Sequence, residues 1–251
     1  MQTIEVLFTP AEFEALARRD LSRTACVVFD VLRATSTIVT ALGNGAAALV
    51  PVAEISEALA WQVRQPGVLL AGERGGLRIR SAQTGGADFD LGNSPREFTA
   101  DVVRGKTIVT TTTNGTRALR ASAPAQTVLV GSFLNLAATA RRLRQLAPEN
   151  LLLVCSGTGE QAATEDALAA GALADLVWND VRGGVADSAQ LAREFYRRFQ
   201  SDLSGAMVHS ANGQRLLALP ELREDVAFCL RRDVVDLVAV MSRDGCIEKV
   251  S

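Results

Sequence analysis

Seven short apolar runs alternate with helical patterns along this chain, and that alternation limits its folds more than any other feature. The runs are IEVLF (4–8), ACVVF (25–29), AALVPV (47–52), GVLLAG (67–72), KTIVTT (106–111), TVLVG (127–131) and LLLVCS (151–156). They are rich in β-branched residues and mostly lack polar alternation, as strands covered on both faces do. Between them the spacing predicts helices over 11–19, 35–45, 54–64, 115–122, 135–146 and 163–178, with longer pieces at 186–203 and 211–218. Asn135 reads as the N-cap of LAATARRLRQLA. Strands interleaved with helices predict an α/β chain: a layered α/β/α fold around a largely parallel or mixed sheet. With 48% apolar residues in 251, the chain can bury the core of one domain over 1–251, or of two similar α/β lobes. FDVLRATST, TTTNGTRAL and CSGTGEQAATED echo one another, each passing from a strand through small polar residues into a helix; such echoes arise from duplication or from the shared grammar of βα units.

Several classes are excluded. The formal net charge is −2 with no basic block, so a nucleic-acid partner is not expected. MQTIEVLFTPAEF lacks the basic and apolar regions of a signal peptide. ALGNGAAALVPVA is broken by Gly, Asn and Pro and is too short to span a bilayer. Cys26, Cys155, Cys229 and Cys246 are widely separated, which fits reduced thiols in a cytoplasmic protein and no zinc site. His209 is the single histidine, so a His-rich metal site is ruled out; it reads as the opening of a late helix. Trp61 and Trp178 read as packing residues on helices. A homodimer is the default assembly for such a chain.

In open α/β sheets ligands sit beyond the carboxyl ends of strands, so the residues after each run matter most. Asp30, Arg33, Thr35, Ser36 and Thr37 follow the second run: a carboxylate for a hard cation, a guanidinium for an oxyanion, and hydroxyls at a helix start. Glu73 and Arg74 follow the fourth run inside GERGG. Residues 72–99 then form a long segment of weak periodicity, in which Leu77, Ile79, Phe89, Leu91 and Phe98 argue for an ordered, functional loop. Within it Asn93, Ser94 and Pro95 read as a turn into a helix, with Ser94 as N-cap. In KTIVTTTTNGTRAL, Thr111, Thr112 and Thr113 end a strand, and Asn114-Gly115 makes a turn that tolerates positive φ. Thr116 and Arg117 then open a helix. Hydroxyls, backbone donors and a guanidinium there suit a phosphate or sulfonate. Glu165 and Asp166 open a small-residue helix, either as Mg²⁺ ligands or as ordinary first-turn acids.

Gly157, Gly159 and Ala162 match G-x-G-x-x-A, a dinucleotide fingerprint whose acidic partner would be Asp180. These residues therefore admit a cofactor- or anion-binding protein using GTGEQA. Other motifs fail. GKT at 105–107 lacks the earlier glycine of a Walker A loop. Cys155 is not followed by the arginine of a cysteine-phosphatase loop, because position 161 is Gln. Asp30 is followed by Val31 and Leu32, so the two-aspartate dehalogenase signature is missing.

Taken in order, FDVLRATST, AGERGG, FDLGNSPREFT, TTTNGTRAL and TEDALAAGA resemble the 2-phosphosulfolactate phosphatase family, over about residues 25 to 230. The resemblance implies an α/β Mg²⁺-dependent phosphatase acting on a small anionic ester, (2R)-2-phospho-3-sulfolactate, in the route to coenzyme M. It implies catalytic roles for Asp30, Arg33, Glu73, Thr112 and Asn114. Substrate contacts are implied for Thr35, Ser36, Arg74, Asn93, Ser94, Thr111, Thr113, Gly115, Thr116 and Arg117, and metal contacts for Asp30, Glu73, Glu165 and Asp166. Asp30 is expected as nucleophile or as base for the attacking water.

Overall fold

The structure is a computed structural model that describes residues 1–250. Its ten strands are β1 (Thr3–Leu7), β2 (Thr24–Phe29), β3 (Ala48–Pro51), β4 (Leu69–Arg74), β5 (Leu77–Arg78), β6 (Thr107–Thr111), β7 (Thr127–Gly131), β8 (Asn150–Cys155), β9 (Val238–Met241) and β10 (Ile247–Val250). Its α-helices are α1 (Pro10–Glu14), α2 (Ala34–Gly43), α3 (Ile55–Arg64), α4 (Ser81–Thr84), α5 (Ala100–Val103), α6 (Gly115–Ser122), α7 (Leu136–Leu146), α8 (Thr164–Val177), α9 (Asp187–Phe199), α10 (Leu203–Met207), α11 (Ala211–Leu217) and α12 (Arg223–Cys229).

The strands form one mixed sheet in the order β1-β8-β2-β7-β9-β10-β3-β6-β4-β5. β1, β8, β2 and β7 are mutually parallel, as are β3, β6 and β4. The antiparallel hairpin β9-β10 joins the two parallel sets. Helices cover both faces, giving a layered α/β fold. Successive residues of a strand face opposite sides, and the core follows that rule. Ala25, Val27 and Phe29 enter one apolar cluster with Leu151, Leu153 and helix α8, while Cys26 and Val28 enter another with Leu152, Val154 and helix α2. In the other parallel set, Leu49, Ala71 and Ile108 join the cluster around α2, and Val50, Leu70 and Val109 form a third beneath α3. Helix α2 is therefore enclosed by strands of both sets, and its residues 34–42 are all buried. No helix among the described residues is long and apolar enough to cross a membrane.

The seven expected strands are present; β5, β9 and β10 were not expected. The helix expected over 11–19 is α1 continued by a 3₁₀ turn, Ala15–Arg18. The one expected over 186–203 is broken into α9 and α10, where the Asp202 carboxylate caps α10 by accepting from Gly205 N at 2.8 Å. Segment 72–99 is ordered as anticipated around buried Ile79, Phe89, Leu91 and Phe98, but Leu77 is exposed. Asn135 precedes α7 without capping it. Its amide donates to Val130 O and Leu237 O, which fastens the chain entering β9 to the end of β7.

Candidate active site

A pocket of about 470 Å³ opens where the carboxyl ends of β2 and β8, from one parallel set, meet those of β4 and β6, from the other. Asp30 follows β2, Glu73 lies at the end of β4, Thr112 to Asn114 follow β6, and Gly157 to Gly159 follow β8. Asn93 adds a wall, and Asn212 and Arg215 reach it from α11. This is where an open α/β sheet carries its ligands, and four strand ends bring together residues as far apart as 30 and 159.

The carboxylates differ in how they are held. Asp30 Oδ1 accepts from Ala34 N at 3.1 Å, and Thr35 Oγ1 accepts from Asp30 N at 3.1 Å. Glu73 Oε1 accepts from Thr113 N (2.9 Å) and Thr113 Oγ1 (2.8 Å), and Oε2 from Gly76 N (2.7 Å). Both acids line the pocket. Glu165 and Asp166 do not. Asp166 is buried and accepts from Val31 N (2.8 Å) and Gly157 N (3.1 Å), bridging the loops after β2 and β8. Glu165 accepts from Ser210 Oγ (2.7 Å) and Asn212 Nδ2 (2.9 Å), anchoring the start of α11. Burial raises the Asp30 carboxyl to about 6, with the charges of Glu73 and Glu165 adding to it. Burial, then Asp30 and Glu165, hold the Asp166 carboxyl well above the usual range. Dense, buried negative charge of this kind is characteristic of functional sites.

The hydroxyls are mostly spent inside the protein. Ser36 Oγ donates to Val31 O, Thr37 Oγ1 to Asn93 O, and Thr111 Oγ1 to Ala53 O. Thr112 and Thr116 pair with each other across one turn. Only Thr112 and Thr113 of the four-threonine run border the pocket. Ser94 Oγ does not cap the 3₁₀ turn Pro95–Glu97; it donates to Asp225 Oδ1 at 2.6 Å. Gly115 is required by a close approach, since a Cβ there would lie 2.7 Å from Asp30 Oδ2 and 2.8 Å from Ala34 Cβ.

The arginines divide in three ways. Arg33 lines the pocket but is buried against Asp225, with Nη1 to Oδ2 at 2.7 Å and Nη2 to Gly76 O at 2.6 Å. Arg74 turns to Glu73 O, Ala53 O and Thr111 Oγ1 and is not part of the lining. Arg117 sits in surface ion pairs with Glu14 and Glu160. Arg215, which no sequence signal marked, borders the pocket and makes no ion pair among the described residues. Asn212 and Asp225 fall in the HSANG and DVAFC segments of the family resemblance but were not expected as site residues; they lie 180 and 192 residues from their partners Leu32 and Arg33.

The GTGEQA loop closes on itself through reciprocal Thr158 and Gln161 backbone bonds. Asn114 Nδ2 clasps it by donating to Ser156 O (3.1 Å) and Gly159 O (2.9 Å). Asp180, the acid a dinucleotide would need, lies beyond the far end of α8 paired with Arg144. His209 is exposed ahead of α11, and Ser210 is that helix's cap. Burial raises the Cys155 thiol well above its ordinary value, so it is a core residue rather than a nucleophile.

Among the described residues no three His, Cys, Asp or Glu side chains converge on one point, so an all-protein cage for a divalent cation is not built. The pocket is lined by two carboxylates, Asp30 and Glu73, and by Asn114, whose Oδ1 is a buried oxygen with no hydrogen-bond partner. One or two carboxylates, a neutral oxygen and room for water and phosphate is how Mg²⁺ is usually held.

Fold and site thus define an α/β enzyme whose pocket brings two carboxylates together with two arginines. The family model for 2-phosphosulpholactate phosphatase matches residues 10–244. A protein of Caldicellulosiruptor saccharolyticus, named a probable 2-phosphosulfolactate phosphatase, is 36% identical over 97% of this chain and 99% of its own length. Proteins of the same name from Thermotoga petrophila and Pseudothermotoga lettingae are 40% and 37% identical, over 87% and 98% of this chain and 89% and 99% of theirs. The chain belongs to the 2-phosphosulfolactate phosphatase family, a family of phosphoric monoester hydrolases.

Proposed function

We propose that this chain is a Mg²⁺-dependent phosphatase that hydrolyses (2R)-2-phospho-3-sulfolactate to 3-sulfolactate and phosphate. The observation that carries this reading is the meeting of Asp30, Glu73 and the unpartnered Asn114 Oδ1 in one pocket with two arginines. Glu73 and Asn114 Oδ1 would hold the cation, with Asp30 beside them. A Mg²⁺ held there would supply positive charge to neutralise the phosphate.

The protein's own residues do the rest. Thr113 and Gly76 fix the Glu73 carboxylate by three hydrogen bonds. Asp30 takes the proton of the attacking water; a carboxyl near 6 is well matched to that task near neutral pH. Arg33 stabilises equatorial phosphate oxygens with the N–H groups it does not spend on Asp225 and Gly76. The loops after β6 and β8 are clasped by Asn114, so the pocket is preorganised. Its four thiols are unpaired, which supports a reducing, cytoplasmic setting for a step in coenzyme M synthesis. Asp30→Asn and Glu73→Gln, assayed by phosphate release, each lower kcat by roughly 10²–10⁴. Full turnover in Asp30→Asn would remove that residue from the chemistry.

A further inference from the structure

We propose that Arg215 is the specificity residue that recognises the anionic group of the substrate that is not transferred. The inference rests on the phosphatase reading and deepens it. The substrate proposed above carries more than one anionic group, and one cation held by Glu73 and Asn114 would serve only the phosphate. The pocket must supply a second positive contact. Arg33 is committed to Asp225 at 2.7 Å, which balances its charge. Arg74 and Arg117 lie outside the lining. Arg215 remains as the guanidinium of the lining without an acidic partner among the described residues.

Arg215 is also held in place, although it is exposed. Asn212 Nδ2 donates to Leu32 O at 2.6 Å and to Glu165 Oε1 at 2.9 Å. Those two acceptors fix which way the amide faces, so Asn212 Oδ1 is left to accept from Arg215 Nη2 at 2.6 Å. Glu165 is in turn braced by Ser210 Oγ. A buried acid thus reaches through one amide to set the guanidinium at the pocket rim. A freely solvated surface arginine needs no such support. Arg215 offers further N–H groups in a fixed fork, the geometry that matches a carboxylate or sulfonate.

The test compares three phosphate esters at saturating Mg²⁺. 2-Phosphosulfolactate carries both a sulfonate and a carboxylate, 2-phospholactate only the carboxylate, and isopropyl phosphate neither. Wild type, Arg215→Ala and Arg215→Lys are assayed for kcat and KM. We expect Arg215→Ala to lose roughly 10- to 100-fold in kcat/KM on 2-phosphosulfolactate, mainly in KM, and to leave isopropyl phosphate unchanged. Arg215→Lys should recover part of the loss. A collapse of the step from isopropyl phosphate to phospholactate assigns the carboxylate to Arg215; a collapse of the step from phospholactate to phosphosulfolactate assigns the sulfonate. Equal losses on all three esters, or no loss on any, would overturn the role of Arg215 while leaving the phosphatase reading in place. A wild type that prefers isopropyl phosphate would overturn the role of Arg215, and one that releases phosphate from none of the three would overturn both.

Discussion

Replacing Asp30 by Asn should stabilise the metal-free protein at neutral pH while removing its turnover. In the folded chain the Asp30 carboxyl is raised from an ordinary 3.8 to about 6, first by burial and then by Glu73 and Glu165, against the opposing Ala34 N–H and Arg33. The stability tied to its protonated form is complete below pH 3.8 and is lost as pH rises through about 6. At about 1.4 kcal/mol per pH unit, that gap is worth about 3 kcal/mol at pH 7.5. Asp166 shares the same negative field, so the gain on neutralising Asp30 alone falls between about 1 and 3 kcal/mol. Asn keeps an oxygen that accepts from Ala34 N. Urea unfolding in EDTA at pH 4, 5, 6 and 7.5 reads the effect. The variant's advantage should be near zero at pH 4 and reach its plateau by pH 7.5. Mg²⁺ should raise the wild-type midpoint more than the variant's, since the cation relieves the same repulsion. A variant no more stable than wild type at pH 7.5, or an advantage independent of pH, would refute the reasoning.

Three further substitutions probe the surroundings. Asp225→Ala leaves the Arg33 guanidinium, 3% exposed, buried without its partner and should cost about 3–5 kcal/mol in denaturant unfolding; the double change Arg33→Met, Asp225→Leu should recover most of it. Gly115→Ala forces a methyl group against Asp30 Oδ2 and Ala34, with an expected loss of about 1–3 kcal/mol and about 100-fold in kcat, both read on the purified variant. Arg117→Ala removes only surface pairs with Glu14 and Glu160 and should change stability by less than about 1 kcal/mol, with kcat/KM unchanged. A fall in kcat/KM with stability intact would return Arg117 to the substrate.

What the sequence revealed and what it hid follow from the range of each interaction. Asp30, Glu73 and Asn114 stand at or just after the ends of apolar strands, and each parallel set gathers such positions at its carboxyl ends; local reading was enough to place them at the pocket. Glu165 and Asp166 were legible as important acids. Their oxygens, however, are occupied by backbone and side-chain donors whose identity depends on the folded chain. The four threonines looked like an anion cradle because hydroxyls suit anions, yet Thr111 turns to Ala53 O and Thr116 to Thr112. Arg74 followed the right strand but lies on the wrong face of it. Asn212, Arg215 and Asp225 arrive from the C-terminal helices, far in sequence from the strand ends they serve. The hairpin β9-β10 did carry a readable signal. Asp244-Gly245 is a favoured hairpin turn, and Gly245 has the positive φ of 86° that such a turn requires.

The most direct test of the account is phosphate release from 2-phosphosulfolactate by the purified chain, with Mg²⁺ and with EDTA. The account predicts release with Mg²⁺ that EDTA abolishes and Asp30→Asn does not restore. Release that is indifferent to EDTA, or none from folded protein with Mg²⁺ present, would contradict it.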